Sequence, residues 1–347
     1  MKKTIIFLII TACLLISLTF GVSAKLNKPE QPKINPINIK LTSKQIAPLE
    51  TDHVDLNVAG LKYKGAILLE CIHPAFGGLS DLLISKDRKS FLAVSDMGFW
   101  LKGEMIYNDN NFLIGIKPEA KLGQLLNIEG KTLSSKYHAD AEALSHAPGS
   151  GFLVAFERVH RINYFKSPHF FDLSGIPSRI NPPEHLKEQP NNGGIESLTL
   201  LPEGRLLMIA EGDTDYENPS YAAVGIDDNW IEMEYQRQHD YRPTSAAPLP
   251  ERNILTLERS YTGPGSLKIR LCIIKQPEFK SGAILRPKQL IKIPNSLPVD
   301  NYEGLDTITT NDGRTFIYII SDDNYSPVQH TILMMFEMDK SNISNSL

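Results

Sequence analysis

Three glutamates, Glu142, Glu196 and Glu303, each stand two residues before a leucine, in Glu142-Ala143-Leu144, Glu196-Ser197-Leu198 and Glu303-Gly304-Leu305. A second acid follows each of them 15, 15 and 19 residues later, at the end of a short apolar run: Glu157, Glu211 and Asp322. Two further segments share the design with a hydroxyl in first place. These are Ser80-Asp81-Leu82, closed by Asp96, and Thr244-Ser245-Ala246, closed by Glu258. Carboxylates gathered at one place repel one another unless cations or protons neutralise them. Hard oxygen ligands suit Ca²⁺, with Mg²⁺ as the alternative. Candidate metal ligands are therefore Glu142, Glu196, Glu303, Asp96, Glu157, Glu211, Glu258 and Asp322. Any one acid at a strand end can simply cap a turn or keep a rim soluble; acids at all five closing positions point to a site.

Two of the acids have arginine neighbours, in Glu157-Arg158 and Glu258-Arg259. Such an arginine is either a structural ion-pair partner or a bidentate grip on a phosphate or carboxylate at the mouth of an acidic channel. Arg158 and Arg259 are thus candidate catalytic residues. His138, close to Asp140 and Glu142, is a candidate general acid, against the alternative of a structural histidine on a loop. Other signatures fail. Gly78-Leu79-Ser80-Asp81-Leu82 starts like a nucleophile elbow but lacks the closing glycine and the following helix, and no phosphate-binding glycine loop is present.

These residues need elements to hold them. From Asp55 onward the chain consists of short runs rich in β-branched and aromatic residues, separated by Gly, Pro, Asn and Asp. The first positions of the five segments, 80, 142, 196, 244 and 303, lie 62, 54, 48 and 59 residues apart. Repeats of this length, each with room for four strands, predict an all-β β-propeller of about five blades, or six if one repeat is degenerate. In the first repeat the strands would be Leu79 to Ser85, Phe91 to Ser95, Phe112 to Lys117 and Leu122 to Ile128. The last repeat shows only three strands, and Ala66 to Ile72 has no partner before it. Joining them closes the ring and hides both edges. A β-sandwich is the competing fold, but it does not predict the repeated acids. Innermost strands line a propeller's channel, so Glu142, Glu196 and Glu303, with Ser80 and Thr244, would form one ring, and the closing acids a second. The Pro- and aromatic-rich stretch 163–192 would either cover the channel mouth or pack on the rim.

Lys2 and Lys3, the apolar run Thr4 to Phe20 and the small residues Val22-Ser23-Ala24 describe a signal peptide, 1–24, with Lys25 beginning the mature chain. The protein is expected to be exported, periplasmic or secreted. Residues 25–54 read as a Pro-rich tether, 55–340 as the propeller and 341–347 as a tail. Cys71 and Cys272 remain after cleavage, either paired or as two buried thiols. Removing Lys2 and Lys3 leaves 34 basic against 40 acidic residues, which speaks against nucleic acid as a partner. No second apolar run is long enough to span a membrane.

The pattern resembles the phytase-like family of exported proteins, described as having esterase-like activity of phytase. Its repeats carry Glu and Asp in an EGL/EAL pattern. Matching stretches are Gly77-Gly78-Leu79-Ser80, Asp140-Ala141-Glu142-Ala143-Leu144, Phe156-Glu157-Arg158, Asn192-Gly193-Gly194-Ile195-Glu196-Ser197-Leu198, Glu258-Arg259-Ser260 and Asn301-Tyr302-Glu303-Gly304-Leu305. The resemblance covers roughly residues 60 to 338. It implies a propeller with an acidic Ca²⁺-binding channel that hydrolyses small phosphoester (phosphomono- or phosphodiester) or ester substrates; the protein is expected to be a monomer. A lysine- and arginine-rich phosphate cleft like that of the β-propeller phytases is missing from the sequence. A non-catalytic cell-envelope binding or scaffold propeller with structural cations is the alternative.

Overall fold

Runs such as Phe152–Phe156 and Leu206–Ala210 bury every residue. That is the behaviour of central strands covered on both faces, and their β-branched and aromatic residues suit a pleated, packed surface. The computed structural model describes residues 36–47, 60–167, 171–213, 215 and 218–338. The expected signal peptide with its cleavage site, and the tail, lie outside these residues.

The strands form five sheets, mainly antiparallel, arranged as the blades of a propeller. The innermost strands, in chain order, are Leu79–Ile84, Ala141–His146, Ile195–Leu200, Tyr241–Pro248 and Tyr302–Thr309. Each packs against the next, and Tyr302–Thr309 packs back against Leu79–Ile84, so the ring is closed. Closure uses the N-terminal strand as expected: Leu61–Glu70 pairs antiparallel with Ile332–Met338 and completes the fifth blade. Part of the segment read as a tether is structured. Ile37–Lys40 pairs with Glu119–Gln124 at the edge of the first blade, and Thr42–Gln45 pairs with Leu61–Glu70 at the edge of the fifth.

One sequence expectation changes, and one open alternative is decided. The third strand of the first blade is Phe99–Tyr107, while Leu113–Ile116 only forms a short pairing with it and Glu119–Gln124 follows outside. Lys102, Gly103 and Glu104 interrupt the apolar run, and the signal that remains is the alternation of buried and part-exposed residues along an outer strand. The described part of the 163–192 stretch packs on the side of the second blade. It supplies the strand Ser178–Ile180, and Phe165 and Leu173 sink completely into the core shared with the first blade. Cys71 and Cys272 are unpaired thiols, the second fully buried.

Every innermost strand carries a β-bulge. The register skips Ser80, Glu142, Glu196, Thr244 and Glu303, one in each blade. These are the five positions that the repeat aligns. A bulged residue is left out of the ladder and its side chain is re-aimed, a device that recurs next to functional sites.

Beside the first bulge, Asp81 ties blades together. Its Oδ2 accepts the Leu144 N–H at 2.8 Å, and its Oδ1 accepts the Leu305 N–H at 3.3 Å and the Ser245 hydroxyl at 3.1 Å. These donors belong to the second, fifth and fourth blades. Burial pushes the Asp81 carboxyl well above the usual range, against the pull of the donors. Replacing Asp81 with Asn puts an amide where two N–H groups need acceptors, and should cost about 2 kcal/mol of unfolding free energy. Chemical denaturation with an unchanged midpoint would show that the carboxylate does not hold the blades.

Candidate functional site

The bulged residues and the ends of the neighbouring strands meet at the mouth of the channel. In four blades the closing acid donates its backbone N–H to the residue two before the bulge: Asp96 to Gly78, Glu157 to Asp140, Glu211 to Gly194 and Asp322 to Asn301. Gly78 has φ +63°, and a Cβ there would lie 2.2 Å from Asp96 Oδ1, so glycine is what lets the acid approach the strand.

The fourth blade corrects the sequence reading. There Arg242, two before the bulge, pairs with Arg259, so Arg259 and not Glu258 occupies the closing position. A shift of one residue along a strand turns the side chain to the other face. Glu258 accordingly points away from the ring. It accepts hydrogen bonds from the Tyr235 hydroxyl at 2.5 Å and from Arg270 Nε at 2.6 Å, is 1% exposed, and belongs to a structural ion pair. It is not placed to ligate a metal with the other acids.

His138 is the second correction. It lies on the four-residue helix Lys136–Ala139, capped by Asp140. At about 100° per residue Lys136 and Asp140 share one side of that turn and His138 lies on the other. Lys136 Nζ bridges Asp96 Oδ2 and Asp140 Oδ1, each at 2.5 Å. His138 is exposed and lines a different cleft. Sequence reasoning passed over Lys136 because a lone lysine on a connection carries no motif.

What remains is an acidic cluster with built-in counter-charge. Oxygen atoms of Asp140, Glu142 and Glu157 all lie within 4.8 Å of one another. Arg158 Nε pairs with Asp140 Oδ2. Arg259 Nη1 pairs with Glu303 Oε1 at 2.6 Å, and its Nη2 lies 3.6 Å from Glu211 Oε1. Arg242 Nη1 pairs with the other oxygen of Glu211 at 3.0 Å. Asn301 Nδ2 donates to Glu303 Oε1 at 2.8 Å.

Four cationic side chains, Lys136, Arg158, Arg242 and Arg259, thus meet eight carboxyls: Asp96, Asp140, Glu142, Glu157, Glu196, Glu211, Glu303 and Asp322. The excess favours the protonated form of several of these carboxyls. Burial, then the charges of Glu196, Asp140 and Glu303, push Glu142 well above the usual carboxylate range. Burial, then Glu211, Glu157 and Glu303, do the same to Glu196. Burial raises Glu157 to about 7 although its carboxylate accepts the Gly194 N–H, and burial with Glu303 and Asp96 raises Asp322 to about 9. Arg259 is held firmly charged: burial opposes its charge, but Glu303, Glu211, Glu196 and Asp322 outweigh it. Such a set of oxygen donors, over-supplied with negative charge, fits a hard divalent cation.

Beside the cluster opens a cleft of about 840 Å³. Its lining combines Arg242, Arg259 and Asn301 and the acids Glu211, Asp240 and Asp300 with the apolar Leu267, Val299 and Val328. An anionic group can meet the two arginines there while the remainder of a small molecule lies against the apolar residues.

A family model, phytase-like, described as esterase-like activity of phytase, matches residues 74–325. The chain belongs to this family. The match spans all five bulges and their closing residues. No curated protein matches the chain. Similar solved structures include the α-L-arabinofuranosidase of Podospora anserina in complex with cellotriose, 10% identical, covering 85% of this chain and 97% of that one at a TM-score of 0.45. The PQQ-bound aldose sugar dehydrogenase of Streptomyces coelicolor is 11% identical, with 78% and 98% covered and a TM-score of 0.41. A Dyadobacter fermentans protein of unknown function is 14% identical, with 89% and 100% covered and a TM-score of 0.40.

Within this phytase-like site, Asp140, Arg242 and Asn301 were not singled out from the sequence. All three stand two residues before a bulged position, as Gly78 and Gly194 do. The aligned repeat held that signal, hidden because the position is filled by an acid, a base, an amide or glycine.

Proposed function

We propose that this phytase-like protein is an exported hydrolase of small phosphoester or ester substrates that works as a monomer with Ca²⁺ held by the acidic cluster. The observation that carries this reading is the surplus of buried carboxyls at the channel mouth, gathered by a bulge in each of three blades beside a cleft lined by two arginines. The N-terminal charge, apolar run and small residues support export. Among the described residues no helix is long and apolar enough to cross a membrane.

Glu142 and Glu157, with Glu196 and Glu303 next to them, are the residues to hold the cation. Bound there, Ca²⁺ would supply neutralisation of the carboxylates and Lewis-acid polarisation of a phosphoryl or acyl oxygen. The chain's own groups do the rest. Arg259 and Arg242 grip the anionic end of the substrate and stabilise charge developing on it, Asn301 and Glu303 fix the orientation of Arg259, and the apolar residues of the cleft seat the leaving group. One observation favours the scaffold reading instead: both oxygens of Asp140 are already taken, by Lys136 and Arg158.

Purified mature protein assayed against phosphomonoesters, phosphodiesters and carboxyl esters decides between them. Turnover that chelator abolishes and Ca²⁺ restores is expected; no turnover on any of the three classes would leave the scaffold. Arg259→Lys keeps the charge but loses the two-pronged contact. It should lower kcat/KM about tenfold or more while leaving calcium affinity within about twofold. Equal losses of both would make Arg259 a structural partner of Glu303 alone.

A further inference from the structure

Away from the acids, where the connection leaving the first blade passes the second, lies another cleft of about 430 Å³. Strand geometry builds it. Arg161 and Asn163 are two residues apart on the strand Arg161–Phe165 and share a face. Asn163 pairs directly with Arg179 on the neighbouring strand, which brings Arg179 to the same face. Arg161, Asn163 and Arg179 all line the cleft, together with Ser134 and His138 of the connection.

The arginines here lack the acid partner that several buried arginines have. Arg237, Arg259 and Arg270 are each matched by an acid. Among the described residues, neither Arg161 nor Arg179 forms an ion pair, although Arg161 is only 6% exposed. Its guanidinium lies over the Phe156 ring, 3.8 Å from the centroid, and donates to the carbonyls of Val159, at 3.0 Å, and His138. One ring stack and two hydrogen bonds hold the group in place without neutralising it. Burial and the like charge of Arg179 pull its pKa down to about 10. Glu129, the one carboxylate on the cleft wall, is exposed and paired with Lys131 at 2.7 Å. Asn163 is 2% exposed, and its Oδ1 has no hydrogen-bond partner.

A buried, fixed guanidinium beside a second one calls for an anion, since an uncompensated buried charge is costly. An unused buried acceptor next to them calls for a donor on the same ligand. Hydrogen phosphate and phosphomonoesters offer both: oxygens for the two arginines, and a hydroxyl for Asn163. We propose that this cleft is a binding site for a small phosphate-bearing molecule, separate from the acidic mouth and independent of any activity there.

Titration calorimetry of the purified chain with inorganic phosphate, in metal-free buffer with chelator, tests this. Binding in the millimolar range is expected, and Arg179→Gln should weaken it about tenfold, the loss of one charge-assisted contact. Arg179 is exposed, so its replacement should leave the melting curve unchanged; Arg161→Gln should also abolish binding, where that variant folds. Sulfate, which has no hydroxyl to donate at neutral pH, should bind more weakly than phosphate. Glycerol phosphate separates the sources: tighter binding than inorganic phosphate marks an organic phosphate as the occupant, equal binding marks free phosphate. No heat with phosphate, or an Arg179→Gln variant that binds as well as the parent, would overturn the site, and equal binding of sulfate would remove the role of Asn163.

Discussion

Replacing Glu196 with Gln is expected to lower turnover about a hundredfold and calcium affinity at least about tenfold, while the protein still folds. The substitution keeps size and hydrogen-bonding capacity and removes one charge from a position that the β-bulge has already taken out of the strand ladder, so no backbone pairing depends on it. Glu142→Gln and Glu303→Gln should behave alike, because both are bulged residues of the same cluster. Glu258→Gln supplies the contrast. It lies on the opposite face, and breaking its buried pairing with Arg270 and Tyr235 should cost roughly 3 kcal/mol of stability without touching calcium affinity. Isothermal titration with Ca²⁺ and unfolding curves on the same four variants measure both quantities. If the three bulge variants keep full metal binding and activity, the repeated glutamates are rim charge and the scaffold reading is the better one.

Without metal, the protein should lose stability as pH rises. In the folded state burial and neighbouring acids hold Glu157 at about 7 and Asp322 at about 9, above their ordinary values of 4.5 and 3.8. The folded chain therefore keeps protons that the unfolded chain releases. This stabilisation is fully present below about pH 4 and is lost as pH climbs through 7 and then 9. Glu157 alone corresponds to about 3 kcal/mol, at 1.36 kcal/mol for each unit of pKa. Calcium should reverse the trend. It takes the place of the protons, binds more tightly as they leave, and at about 100 times its Kd adds about 2.7 kcal/mol. Melting temperatures measured from pH 5 to 9, with chelator and with Ca²⁺, should diverge steadily. Parallel curves would mean that the surplus carboxyls are not neutralised by calcium.

Much of the fold was legible because a propeller repeats. Each blade buries its central strands, so each repeat shows the same apolar run and turn residues, and the unpartnered strand near Ala66 announced the closure that Leu61–Glu70 makes with Ile332–Met338. The strand Phe99–Tyr107 was harder to see, since an outer strand is only half buried and its Lys102 and Glu104 look like a loop.

The acids divide differently. Their recurrence at positions 142, 196 and 303 was written in the residues, and these three glutamates do meet at the mouth. Glu258 and Arg259 could not be told apart that way: two adjacent residues suit the repeat equally, and which one faces the channel depends on where the bulge falls, a property of two paired strands rather than of one. His138 was misplaced for a similar reason, since a short helical turn sends it away from the Asp140 beside it in sequence. The sequence by itself thus determined an all-β repeat protein of the phytase-like family with an acid-rich channel. Only the tertiary structure decided which charges touch, because register, bulge and helical phase set the direction of a side chain, and because Arg242 and Arg259 of the fourth blade reach Glu211 of the third and Glu303 of the fifth.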